Sequence, residues 1–194
     1  NVIYSQWAAI QTHQVPKFEG YQHDVVFVGA FHPYRKWFID RLIKANINVQ
    51  AFGNGWPNGS LSAEKMNELF ISSKINLNIG NSTSFDSRYL LSGIRPIINS
   101  IRSPKNTSQI KARNFEIPFF NGFQLTDYVP SIENYFDLGK EVVCYKDVDE
   151  AIMLVKYYLE NEVERESIKN AGYERASREH GYINRLRDII GRIR

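Results

Sequence analysis

"DVVFVGA", residues 24–30, decides how this chain folds. Val25, Val26, Phe27 and Val28 form an unbroken β-branched and aromatic run that stops at Gly29. A strand with one wet face alternates apolar and polar residues, whereas a strand covered on both faces is apolar throughout. The run therefore predicts a strand inside a parallel sheet. Downstream, "RKWFIDRLIKAN" (35–46) places Phe38, Leu42 and Ala45 near one helical face. "INVQAFGNG" (47–55) is a second strand that also closes on glycine. "SAEKMNELFISS" (62–73) opens on a serine ahead of acidic and apolar residues, a helix start. "KINLNIG" (74–80), "FQLTD" (123–127) and "EVVCYK" (141–146) supply three more strands, and "KARNFEIPFFNG" begins as a helix. Asp147 caps a helix over 147–162, and 163–194 is helical and rich in both charges. Strands and helices alternating at regular intervals mark βαβ units. Short right-handed connections then give an α/β fold, a Rossmann-like open parallel sheet with helices on both faces.

Two segments stand outside this pattern. Residues 1–23 are polar and irregular, with Pro16 and Gly20, and are expected to be a linker or the remnant of an upstream domain. The main domain is expected over 24–180, followed by a last helix over 181–194. Residues 81–110 carry Ser, Thr, Asn and two prolines around the apolar patch "YLLSGIRPII" (89–98). A structureless loop of that length is uncommon in a compact domain. This segment is either a functional flap or hides a short helix.

The totals narrow the chemistry. The 194 residues are 43% hydrophobic and 23% charged, as in soluble globular proteins. A net charge of +3 suits an anionic ligand but is too weak to argue for nucleic acid. The cations of "ERASREHGYINRLRDIIGRIR" (174–194) are interspersed with acids, which marks an exposed helix face. Cys144 is the only cysteine, so no internal disulfide forms and a reducing compartment is the simplest setting. No apolar run approaches the ~20 residues of a membrane span, and no secretory leader is visible. The first residue is Asn1 rather than methionine, so a piece of a longer protein is expected. The dinucleotide signature G-x-G-x-x-G is absent, which disfavours nicotinamide and flavin chemistry. No CxxC, His-Glu metal spacing or G-x-S-x-G elbow occurs, so neither a metal nor a cofactor is implied.

In open parallel sheets the ligand lies at the carboxyl ends of the strands. Gly29 and Ala30 follow the first strand, with Arg35 close behind; Gly53, Asn54 and Trp56 follow the second; Gly80 follows the third. Ser108, Gln109, Ile110 and Lys111 precede the helix that carries Arg113 and Glu116, and Asp127 follows the fourth strand. Glycines let a backbone approach a ligand closely. A helix start with Lys111 and Arg113 beside it suits phosphate. Glu116 can accept hydrogen bonds from two neighbouring hydroxyls, as on a ribose. Each residue also has a plainer reading. Arg35 would be a solvated helix cation, Gly29 and Gly53 strand ends, and Trp56 packing rather than a stacking platform. Glu116 lies in the otherwise apolar "FEIPFF", where a carboxylate is costly unless it is bound or paired with Arg113 or Lys111. Together these residues point to a nucleotide or sugar-nucleotide site.

"KARNFEIPFFNGFQLTDYVPSIENYFDLGKEVVCYKDVDEAI" (111–152) resembles the carboxyl-terminal half of GT-B glycosyltransferases, in the group that includes CgeB-like proteins. "DVVFVGAFHPYRKWFIDRL" and "SSKINLNIG" fit the same group, and the resemblance covers roughly 24–180. It implies an enzyme with its active site between two Rossmann-like halves, the carboxyl-terminal half holding a UDP-, GDP- or TDP-linked sugar. The amino-terminal half, binding much of the acceptor, would be a missing partner domain, and the last helix would cross back toward it. In such enzymes a glycine followed six residues later by a cation lies near the diphosphate; Gly29 and Arg35 match that spacing. Of two glutamates separated by seven residues, the second holds the ribose and aligns with Glu116, while the first falls at Ser108, which is not acidic. The resemblance thus implies catalytic roles for Arg35, Lys111 and Arg113 in neutralising the departing diphosphate. It implies a cytoplasmic bacterial protein, or one peripheral at the inner membrane face, acting in cell-surface polysaccharide synthesis. The Ser108 departure keeps an alternative open, a degenerate module that binds nucleotide or protein without catalysis.

Overall fold

The structure, a computed structural model, describes residues 3, 5–10, 16–80, 86–102 and 109–193. Five strands form one sheet: β1 (His23–Val28), β2 (Val49–Phe52), β3 (Ser73–Asn78), β4 (Gln124–Asp127) and β5 (Val143–Tyr145). All pairings are parallel and the order is β2-β1-β3-β4-β5. Val25 of β1 pairs with both Val49 and Ile75, which places the "VVFV" run inside the sheet, as its unbroken apolar character requires. The chain winds one way from β1 to β2 and the other way from β3 to β5. The crevice where such a sheet accepts a ligand therefore opens between β1 and β3.

The helices are α1 (Pro33–Lys44), α2 (Ala63–Ile71), α3 (Ser87–Leu90), α4 (Ile94–Arg102), α5 (Arg113–Phe119), α6 (Val148–Glu160), α7 (Glu162–Glu179) and α8 (Tyr182–Ile193). Their starts follow local chemistry. Ser62 Oγ accepts the Lys65 N–H at 3.3 Å, and Asp147 Oδ1 accepts those of Asp149 and Glu150 at 3.0 and 2.9 Å. On one sheet face Phe38 and Leu42 of α1 and Val148, Val155 and Tyr158 of α6 pack on Val25, Phe27, Ile75, Leu77 and Leu125. On the other, Phe70 of α2, Phe115 and Ile117 of α5 and Ala176 of α7 form a second core. The sheet meets that second layer with a buried polar row of Asn76, Asn78, Gln124 and Thr126. Asn76 Nδ2 donates to the Phe70 carbonyl of α2 at 2.9 Å, and Asn114 Nδ2 of α5 donates to Thr126 Oγ1 at 3.2 Å.

The segment 81–110 contains two helices, α3 and α4, which divide "YLLSGIRPII" between them. Tyr89 of α3 is buried against Tyr34 and Trp37 of α1. Parts of the stretch expected as a linker pack on the domain. Tyr21 accepts a hydrogen bond from Lys169 at 2.7 Å and donates to Glu166, both on α7. Ala9 bridges the break between α7 and α8, its N–H donating to the His180 carbonyl at 2.9 Å and its carbonyl accepting from Tyr182 N–H at 3.1 Å. Among the described residues, no helix is long and apolar enough to cross a membrane.

Candidate functional site

Arg35 sits in the first turn of α1, directly over the crevice between β1 and β3. Its Nε donates to the Ile79 carbonyl at 3.0 Å and one terminal nitrogen donates to the Ala30 carbonyl at 2.9 Å. One guanidinium thus ties the tip of β1 to the tip of β3, and it also lies over the Phe27 ring, 5.4 Å from its centroid. It is a scaffold cation at the switch point, not a solvated one. Burial holds its pKa below the usual guanidinium range, the Asp127 and Tyr145 charges oppose that, and Arg113 adds to it.

Gly29 and Gly53 meet at the same edge. Gly53 has φ +129°, and a Cβ there would lie 2.3 Å from the Gly29 carbonyl oxygen. The Trp56 indole donates to that same oxygen at 2.9 Å and its ring packs edge-on against Phe27 and Phe31. Trp56 is therefore engaged in the β1–β2 turn. Asn54 has an exposed side chain, and its carbonyl accepts the Phe31 N–H at 2.8 Å.

Across the crevice, Gly80 is held from both sides. Its N–H donates to Asp127 Oδ1 at 2.9 Å, and Lys111 Nζ donates to its carbonyl. The Thr126 hydroxyl accepts from Asn78 Nδ2 and Asn114 Nδ2, both at 3.2 Å, and lies 3.3 Å from Asp127 Oδ1 as a donor. Tyr145 closes the set by donating to the Asn78 carbonyl at 2.8 Å. Burial pushes the Asp127 carboxyl above its usual range, against the pull of the Gly80 N–H, the Thr126 hydroxyl and the Lys111 charge. Between its ordinary value of 3.8 and the raised folded value, the native chain holds more protons on this group than the unfolded chain. Its contribution to stability therefore falls as pH rises through that window. We expect Asp127→Asn to gain on the parent in urea midpoint as pH rises above the ordinary aspartate value of 3.8; a variant that loses ground as pH rises contradicts the assignment.

Arg113 and Glu116 of α5 form an ion pair at 2.7 Å. Arg113 also touches Met66 Sδ at 2.6 Å and lies over Phe70, 5.4 Å from its centroid. Burial raises the Glu116 pKa and the Arg113 charge opposes it; burial likewise lowers that of Arg113. The carboxylate in "FEIPFF" is thus paired within its own helix. At the start of α5 the N–H groups of Asn114, Phe115 and Glu116 bond to the Lys111 and Ala112 carbonyls, and Asn114 Oδ1 accepts the Lys111 N–H at 3.0 Å. An anion arriving here would meet side-chain cations rather than those three amides.

Gln109 and Ile110 lie apart from this group. With Gln6, Trp7, Val129 and Tyr135 they line a cavity of about 490 Å³. Ser108 lies outside the described residues. The crevice therefore brings together Gly29, Ala30, Arg35, Gly53, Gly80, Lys111 and Asp127. Sequence reasoning missed Asn78, Asn114, Thr126 and Tyr145, although two asparagines alternating with Ile and Leu in "KINLNIG" mark a polar row on a buried strand. It also took Gln6 and Trp7 for linker. No group of His, Cys, Asp or Glu among the described residues is arranged to hold a metal ion.

Comparison with known proteins sets this site in context. An α1,3-fucosyltransferase is similar over 76% of the chain at 18% identity, with TM-score 0.52. The structure of α1,3-fucosyltransferase with GDP-fucose gives 18% identity over 76% and TM-score 0.54. TarM gives 9% identity over 94% and TM-score 0.61. At these identities the likeness is one of fold. The chain spans only 37%, 38% and 37% of those structures, respectively. No curated protein matches significantly. A family model described as glycosyl transferase-like matches residues 35–191, well over half of the sequence, and the chain therefore belongs to the glycosyl transferase-like family.

Proposed function

We propose that this chain is the donor-binding half of a CgeB-like bacterial glycosyltransferase. It would hold a UDP-, GDP- or TDP-linked sugar for transfer to an acceptor hydroxyl in cell-surface glycan or polysaccharide synthesis. The observation that carries this reading is the gathering of cations at the switch point. Arg35 spans the tips of β1 and β3, Lys111 caps Gly80 beside them, and Arg113 is near enough to depress the Arg35 pKa. A departing diphosphate is the group that such preorganised charge stabilises. Glu116 would grip the ribose through its carboxylate while Arg113 fixes its orientation. The rest of the active site, including much of the acceptor surface, would come from a second half.

Thermal unfolding with GDP, UDP, TDP and ADP tests the reading. A nucleotide at a hundredfold its dissociation constant adds about 2.7 kcal/mol, which is roughly 5–10 °C for a domain of this size. One nucleotide should shift the chain by this amount, and Glu116→Ala should abolish most of the shift. A shift that survives Glu116→Ala removes the ribose role. The absence of any shift favours the second reading, a non-catalytic module. That reading draws on one observation: Arg35 and Arg113 are already satisfied by protein partners.

A further inference from the structure

The sequence from Ser87 to Phe115 contains no acidic residue, while Arg88, Arg95, Arg102, Lys105, Lys111 and Arg113 are all cationic. Within it, α4 carries Ile94, Ile97, Ile98 and Ile101 at the i, i+3, i+4, i+7 spacing of one helical face, and Leu91 lies in the turn just before it. These side chains are not core. Leu91 is 84% exposed and Ile94 and Ile101 are each 77% exposed, while Ile97 and Ile98 are also exposed. The principal neighbour of α4 is the single turn α3. Arg88, Lys111 and Arg113 are engaged with Asp86, Gly80 and Glu116, whereas Arg95 is exposed beside the stripe.

We infer that α4 is an interfacial helix that docks on an anionic phospholipid surface, its isoleucines entering the headgroup boundary and Arg95 meeting lipid phosphates. An exposed aliphatic stripe inside an acid-free basic segment is the pattern of a helix that lies in a membrane interface. A second exposed apolar stripe, on α8, has a different character. On α8, Ile183, Leu186, Ile190 and Ile193 are exposed, but Asp188 sits among them and pairs with Arg192 at 3.1 Å. An acid thus stands inside that stripe, as none does on α4. The inference stands independently of the donor reading, whose readout is the nucleotide shift.

The test is flotation of the chain with vesicles of phosphatidylglycerol and phosphatidylcholine, beside vesicles of phosphatidylcholine alone. We expect partition onto the anionic vesicles only, weakened by salt. Arg95→Gln should lower it about fivefold, and Ile94→Asp with Ile101→Asp about tenfold or more. Ile190→Asp on α8 should leave it unchanged. All these side chains are exposed, so each variant should melt with the parent. Absence of partition, equal partition onto neutral vesicles, or partition indifferent to the α4 variants overturns the proposal. So does a dimer in sedimentation velocity that the Ile94→Asp, Ile101→Asp variant dissociates without any vesicle binding by the parent.

Discussion

Gly53→Ala should destabilise the chain by about 3 kcal/mol or more, lowering its melting temperature by roughly 6–12 °C. Two effects add at this position. The backbone sits at φ +129°, where an L side chain is strained, and the new Cβ would lie 2.3 Å from the Gly29 carbonyl oxygen. The second effect cannot be relieved by a rotamer change, because the obstacle is backbone. It is held there by the Gly29 N–H bond to the Phe52 carbonyl at 2.9 Å and by the Trp56 indole. Gly59→Ala is the control. Gly59 has φ +70° with nothing near its Cβ position, so it should lose only about 1 kcal/mol. If the two variants melt together, the β1–β2 tips are not in the contact described. If the donor reading is right, loss of nucleotide binding should accompany Gly53→Ala, since the displaced strand tip is the one that Arg35 holds.

Arg35→Met should have two separable effects. It leaves the Ala30 and Ile79 carbonyls without their present donor, which should lower stability by about 2–3 kcal/mol, read by denaturant midpoint. If the donor reading is right, it should also weaken nucleoside diphosphate binding by about 30-fold or more, the loss of a charge-assisted contact. Calorimetric titration measures the second effect under conditions where the variant is fully folded. Destabilisation with unchanged affinity would make Arg35 a brace between strands and nothing more. Arg35→Lys separates charge from geometry, because a lysine keeps the cation but cannot reach two carbonyls as a planar fork does.

The sheet was legible because its signal is local. The "VVFV" run, glycines at strand ends and the Ser62 and Asp147 caps each act within a few residues. The segment 81–110 was only half legible. The isoleucines of α4 fall at helical spacing, but Pro96 among them and the single turn of α3 hid both helices. In the site, Gly29, Arg35, Gly80 and Asp127 followed from one rule, that ligands gather at the carboxyl ends of parallel strands. Their partners did not follow. That Lys111 would turn to Gly80, and that Glu116 would be taken by Arg113 three residues away, depends on side-chain directions that spacing alone leaves open. The cavity at Trp7 and Tyr135 was invisible because it joins residues far apart in the chain.

The polar row of Asn76, Asn78, Gln124 and Thr126 bears on how the sheet finds its pairing while it folds. In a strand apolar on both sides, sliding by one residue exchanges one greasy surface for another and is resisted only by packing. Here a slip of β3 or β4 would turn amides and a hydroxyl toward the aliphatic and aromatic layer under α1 and α6, and leave Asn114 without Thr126. Misaligned intermediates are thereby made expensive relative to the aligned one. A parallel sheet of long sequence separation assembles slowly. In this one the row acts as a proofreader, because the aligned strands alone give Asn114 of α5 its contact with Thr126.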